Sequence, residues 1–221
     1  MGKSVYSLVL SDDIIAAVDR AAYRAGTSRS NLINQVLAEY VSYTTPEAQM
    51  QNIFHTIGEL FDSAEAFKVQ PHASGSMMSV YSALRYKYNP TVRYSVELFD
   101  EDGPAIGELR VLFRTQNEGL VAYLNEFFTF WSLLEKQYLG SYFSDGIESE
   151  ISGARFTRRL KLGKPQQSLT PQALGRAIAQ YIEAIDGAMK EYFSYLEHPA
   201  AARHKTEEQY RKYLQSNAMK L

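Results

Sequence analysis

The 221-residue chain has no cysteine, which excludes a disulfide framework, a thiolate metal site and a thiol nucleophile. That absence suits a reducing compartment, and the cytoplasm is the expected location. Its four histidines, His55, His72, His198 and His204, are scattered, and no two have metal-ligand spacing. No metal or other cofactor is therefore expected. There is no P-loop, no G-x-G-x-x-G and no G-x-S-x-G, so the chain is not expected to be an enzyme. No apolar run is long enough for a transmembrane helix, and Asp12 and Asp13 interrupt the first apolar stretch too early for a secretory signal. No membrane partner is expected. Net charge is small, −2, so the surface as a whole is not a polyanion trap, although a local basic patch stays open.

What is present begins at the N-terminus. Val5 to Leu10 alternates, with Tyr6, Leu8 and Leu10 on one side and Val5, Ser7 and Val9 on the other, as a strand would. Ser11 offers a helix cap, and Asp12 and Asp13 fall in the first turn, where the helix dipole favours carboxylates. Ile14, Ile15, Val18, Ala22 and Ala25 follow at helical spacing up to Gly26. Thr27 or Ser28 caps a second helix striped by Leu32, Ile33, Val36, Leu37, Tyr40 and Val41. About 40 residues are too few to bury an adequate core alone, so the unit is expected to share one with a second copy.

The order strand, Ser-Asp-Asp cap, helix, Gly-Thr-Ser-Arg-Ser turn, helix over roughly Lys3 to Tyr43 resembles the ribbon-helix-helix family of bacterial DNA-binding proteins. The resemblance implies a homodimer whose two-stranded ribbon enters the major groove of double-stranded DNA, in a sequence-specific transcriptional regulator. Val5, Ser7 and Val9 would then face the bases. Ser28, Arg29, Ser30 and Asn31, at the start of the second helix, would hold phosphate. Valine discriminates bases less well than a bidentate hydrogen-bonding side chain, so the alternative is an interaction module that uses the fold only to dimerise.

The rest of the chain reads as a linking helix and a sheet with helices. Thr45-Pro46 opens a helix striped by Met50, Ile53, Phe54, Ile57, Leu60, Phe61, Ala64 and Phe67. A loop over Gln70 to Ser79 precedes strands expected at 80–88, around 92–98 and around 109–113. A helix from about Glu118 to Tyr138, one strand over Ile151 to Leu162, and a long helix from Thr170-Pro171 to His198-Pro199 complete the pattern. The expected architecture is α+β: a β-α-α ribbon-helix-helix domain over 1–45, a linking helix over 46–70, a β-β-β-α-β-α domain over 71–199 and a charged tail over 200–221. The C-terminal domain is expected to sense a ligand, to oligomerise or to bind a protein partner.

Two further clusters carry charge. Arg155, Arg158, Arg159, Lys161 and Lys164 form a second basic run, with Arg85, Lys87 and Arg93 as candidate neighbours. They would contact phosphate or guard an exposed strand edge. Asp102, Glu108 and Arg110 faintly resemble the carboxylates and base of PD-(D/E)xK nucleases, with arginine where a lysine assists the attack. A solvated strand face explains the same residues more simply.

Overall fold

The computed structural model describes residues 5–41, 43–72, 75–87, 89–100, 103, 105–163, 169–216 and 219–221. They divide into two compact units, Met1–Gln49 and Met50–Leu221. Unit 1 holds α1 (Asp12–Arg24), α2 (Arg29–Tyr40) and the first turn of α3 (Pro46–Asp62). Ser28 caps α2, its hydroxyl accepting the Asn31 N–H at 3.2 Å, and Thr45 does the same for the Ala48 N–H at 3.1 Å.

Residues 5–10 form no strand, and the first strand among the described residues begins at Lys68. A strand exists only when its backbone groups find a ladder, and no described residue pairs with this stretch. Val5 and Val9 stand 99% and 102% exposed. The ribbon-helix-helix resemblance is therefore overturned, and with it the homodimer, the double-stranded DNA partner and the regulator drawn from it. Alternation over six residues describes an extended segment as well as it describes a paired one.

Unit 2 is a six-stranded antiparallel sheet with helices. The strands are β1 (Lys68–Pro71), β2 (Met77–Ala83), β3 (Thr91–Leu98), β4 (Ala105–Phe113), β5 (Ser149–Ser152) and β6 (Arg155–Lys161), in the order β1-β2-β3-β4-β6-β5. After the four-strand meander, α4 (Glu118–Leu139) crosses to the β5-β6 hairpin, and α5 (Pro171–Ser194) and α6 (Pro199–Gln215) follow. Among the described residues the order is α-α-α-β-β-β-β-α-β-β-α-α, not β-α-α followed by β-β-β-α-β-α. Two features account for the added strands. Pro71 and the Ser/Gly run after it read as a loop and hide the short edge strand β1, where a proline is tolerated. Gly153, at φ +56°, turns the single strand expected over 151–162 into a tight hairpin in which Ser152 faces Arg155.

One face of the sheet carries the core. Val80, Val92, Tyr94, Val96, Leu109, Val111, Phe156 and Leu160 are all fully buried there. Phe128 of α4 stacks on Phe156 with ring centres 4.9 Å apart. From α5, Asp186 accepts the Tyr94 hydroxyl at 2.9 Å and pairs with Lys190 at 2.6 Å, while Lys190 also donates to Ser82 at 2.7 Å. Burial, then the Asp186 charge, holds the Tyr94 phenol well above its usual range. α6 packs on α5, where Tyr213 meets Tyr181 edge-on, and its buried Tyr210 meets Trp131 of α4.

Candidate functional site

The opposite face of the sheet is polar, and the register orders it into rows. One row runs Lys68, Tyr81, Arg93, Leu112, Arg155, Ser152 across β1 to β5. The next runs Gln70, Ser79, Ser95, Arg110, Thr157, Glu150. The third holds Met77, Glu97, Glu108 and Arg159. Period-two alternation places these side chains together while their neighbours enter the core.

The rows differ in how their charges are spent. Arg110 gives its Nε to Glu108 and its Nη2 to Glu97, both at 2.6 Å, and Arg159 reaches Glu108 at 3.4 Å. Burial alone would lower the Arg110 pKa, but the two carboxylates outweigh it and raise the value. Arg159 also lies 5.1 Å from the centre of the Phe99 ring. In the first row, Lys68, Arg93 and Arg155 have no carboxylate within ion-pair distance among the described residues.

Arg93 is held instead by hydroxyls. Its Nε donates to Ser79 at 3.1 Å and its Nη2 to Ser95 at 3.4 Å. The two serine oxygens are 3.1 Å apart, and His72 Nε2 lies 2.8 Å from Ser79. A hydroxyl has one donor and two acceptor positions, and these three neighbours fill them whichever histidine tautomer is present. Ser79 is 0% exposed and Ser95 3%. A serine beside a histidine suggests a nucleophile, but no substrate carbonyl can reach an oxygen so enclosed. The hydroxyls form a floor that fixes the guanidinium.

The residues expected from sequence to form sites are dispersed. Val5, Ser7 and Val9 lie in a stretch with no helix or strand, all exposed. Arg29 is gripped by Asp19 through two bonds, Nε to Oδ1 at 2.5 Å and Nη2 to Oδ2 at 2.6 Å, so its charge is neutralised within unit 1. Ser28 caps its own helix, and Ser30 and Asn31 are exposed on the first turn. The second basic run does not form one surface. Arg155 and Arg159 lie on the polar face, whereas Lys161, 5% exposed, is bonded to Glu148 at 2.6 Å. Arg158, 1% exposed, faces the core. There it reaches Glu135 at 3.2 Å and the Leu221 main-chain oxygen at 2.5 Å, and Tyr181 donates to the same Glu135 oxygen at 2.9 Å. Of the nuclease-like trio, Asp102 lies outside the described residues, and Glu108 and Arg110 are bonded to each other. Among the described residues no group of three or more His, Asp or Glu is placed to hold a metal ion.

The helical side of unit 2 has a shallow groove of about 290 Å³ between α4 and α6, spanned by the Glu126–Arg203 ion pair at 2.9 Å. Nearby Tyr192 is pushed up to about 12, first by burial and then by Glu126. No described helix is long and apolar enough to cross a membrane. Comparison of the chain with protein-family models, with curated proteins and with solved structures finds no match.

Proposed function

We propose that the chain is a non-catalytic binding protein whose recognition surface is the polar sheet face of unit 2. One observation carries this reading: that face keeps a row of cations, Lys68, Arg93 and Arg155, without a carboxylate partner among the described residues, beside rows whose charges neutralise one another. A half-exposed, uncompensated guanidinium on a rigid strand is a common means of orienting an anionic ligand. Catalysis is disfavoured by the enclosure of Ser79 and by the engagement of Glu97 and Glu108 with arginines.

Amide shift mapping of the full ¹⁵N-labelled chain against a panel of small anionic and neutral metabolites tests the reading. Ligands should perturb β1 to β4 and β6 around their outward-facing residues. Perturbations confined to α4, α6 and the groove between them would contradict it.

A further inference from the structure

We infer that the Arg93 corner of this face is a receptor for an oxyanion with two oxygens in one plane, either a carboxylate or a phosphoryl group. The inference rests on the polar face being the recognition surface and adds the chemistry of its ligand. A guanidinium carries five N–H donors in a rigid plane, arranged as forks along its edges. In Arg93 the edge formed by Nε and Nη2 is spent on Ser79 and Ser95. Nη1 and the second Nη2 hydrogen have no partner among the described residues and form the other fork, whose spacing matches the two oxygens of a carboxylate or phosphate.

Three observations make this corner a site rather than a solvated side chain. The serines beneath are buried, so the guanidinium is anchored at its base and loses little freedom on binding. They are also neutral, so the full positive charge is kept. His72 shares the Ser79 oxygen with Arg93 and sets a polar ring beside the guanidinium. Arg110 is the internal control. It stands on the neighbouring strand, opposite Ser95 and facing the same way, but Glu97 and Glu108 already occupy the donors that Arg93 gives to serines. Lys68 and Arg155 share the Arg93 row and extend positive potential on both sides of it.

Side-chain ¹⁵Nε–¹H spectra of the arginines in the intact chain test the inference. Inorganic phosphate and acetate are titrated in separate arms, with chloride at matched ionic strength as the control. The Arg93 resonance should shift and saturate with at least one oxyanion, in the millimolar range or below, and not with chloride. The resonance of Arg110 should stay in place. The arm that saturates first distinguishes a phosphoryl from a carboxylate ligand. Arg93→Lys keeps the charge and loses the fork; followed by the backbone amide shifts of β2 and β3, since the Arg93 resonance is gone, binding should weaken about tenfold or more. Gln137→Ala, exposed on α4 and away from the polar sheet face, should leave binding unchanged.

An Arg93 resonance that neither oxyanion saturates by about 10 mM overturns the inference, as does Arg93→Lys with unchanged affinity. If a metabolite still maps to the sheet face in either case, the recognition surface stands and only the receptor is wrong. A ligand that maps to the helices overturns both.

Discussion

α5 in unit 2 and α1 in unit 1 carry similar apolar stripes and meet different fates. Leu174, Ile178, Ile182, Ile185 and Met189 of α5 are all buried against the sheet and its flanking helices. Along α1, Ile15 and Val18 are only half-buried, Ile14 is exposed, and Ala22 is the one buried residue of the helix. α2 has no buried residue at all. Side-chain spacing makes each segment a helix, but only the number of surrounding elements makes a core. A unit of about 50 residues has too high a surface-to-volume ratio to close one by itself. The hydrophobic contribution to stability therefore sits almost entirely in unit 2.

Substitutions of the same chemistry in the two units should have very different effects. The largest is expected at the buried ion pair. Arg158→Ala leaves Glu135 charged, buried and without its guanidinium, and should cost about 3–5 kcal/mol. Urea melts followed by Trp131 fluorescence would measure it, because the Trp131 indole N–H donates to Tyr181, itself bonded to Glu135. A cost under about 1 kcal/mol would mean that the pair is solvated.

Next comes a matched pair of leucines. Leu124→Ala, at a fully buried position of α4, should cost about 2–5 kcal/mol. Leu37→Ala, at a position of α2 that is 49% exposed, should stay within about 0.5 kcal/mol. Equal costs would break the contrast between the units. Smaller still is the Asp19–Arg29 pair, whose side chains are 45% and 55% exposed. Its geometry is good, yet a double-mutant cycle should give at most about 1 kcal/mol, falling further in salt.

The smallest effect concerns pH. Glu148 is held below the usual carboxylate range by Lys161, Glu207 by Tyr138 and Arg211, and Glu208 by Lys205 and Lys212. A depressed folded-state pKa contributes stability above the unfolded value and loses it as pH falls through the folded one. Melting temperature should therefore decline modestly on acidification below the ordinary carboxylate range, and Glu148→Gln should reduce that slope. A slope unchanged by the substitution would remove Glu148 from the explanation.

Much of the local structure was legible in the chain. Ser28 and Thr170, both legible as caps, each accept a backbone N–H at a helix start, whereas Ser11 makes no such bond. Alternation in Val92 to Leu98 sorts Tyr94 and Val96 inward and Arg93 and Glu97 outward. The same alternation sets Arg158 beside Phe156 and Leu160, a sign that it does not share a surface with Arg155 and Arg159. Pairing was not legible. Nothing local tells that residues 5–10 lack a partner while Lys68 to Pro71, a shorter and less apolar stretch, has one in β2. The Arg93 corner was missed for the same reason. Ser79 and Ser95 are sixteen positions apart and meet only through register, and His72 joins them from outside the strands. The one available signal was a serine at an outward position on each of two successive strands.

Hydrogen–deuterium exchange on the intact chain tests the contrast between the units most directly, because amide protection reports local opening free energy along the sequence. Amides of β3, β4, α4 and α5 should exchange only through global unfolding, over hours to days, while those of α1 and α2 exchange orders of magnitude faster through local opening. Protection of α1 and α2 equal to that of α5 would contradict the division into a unit with a core and a unit without one.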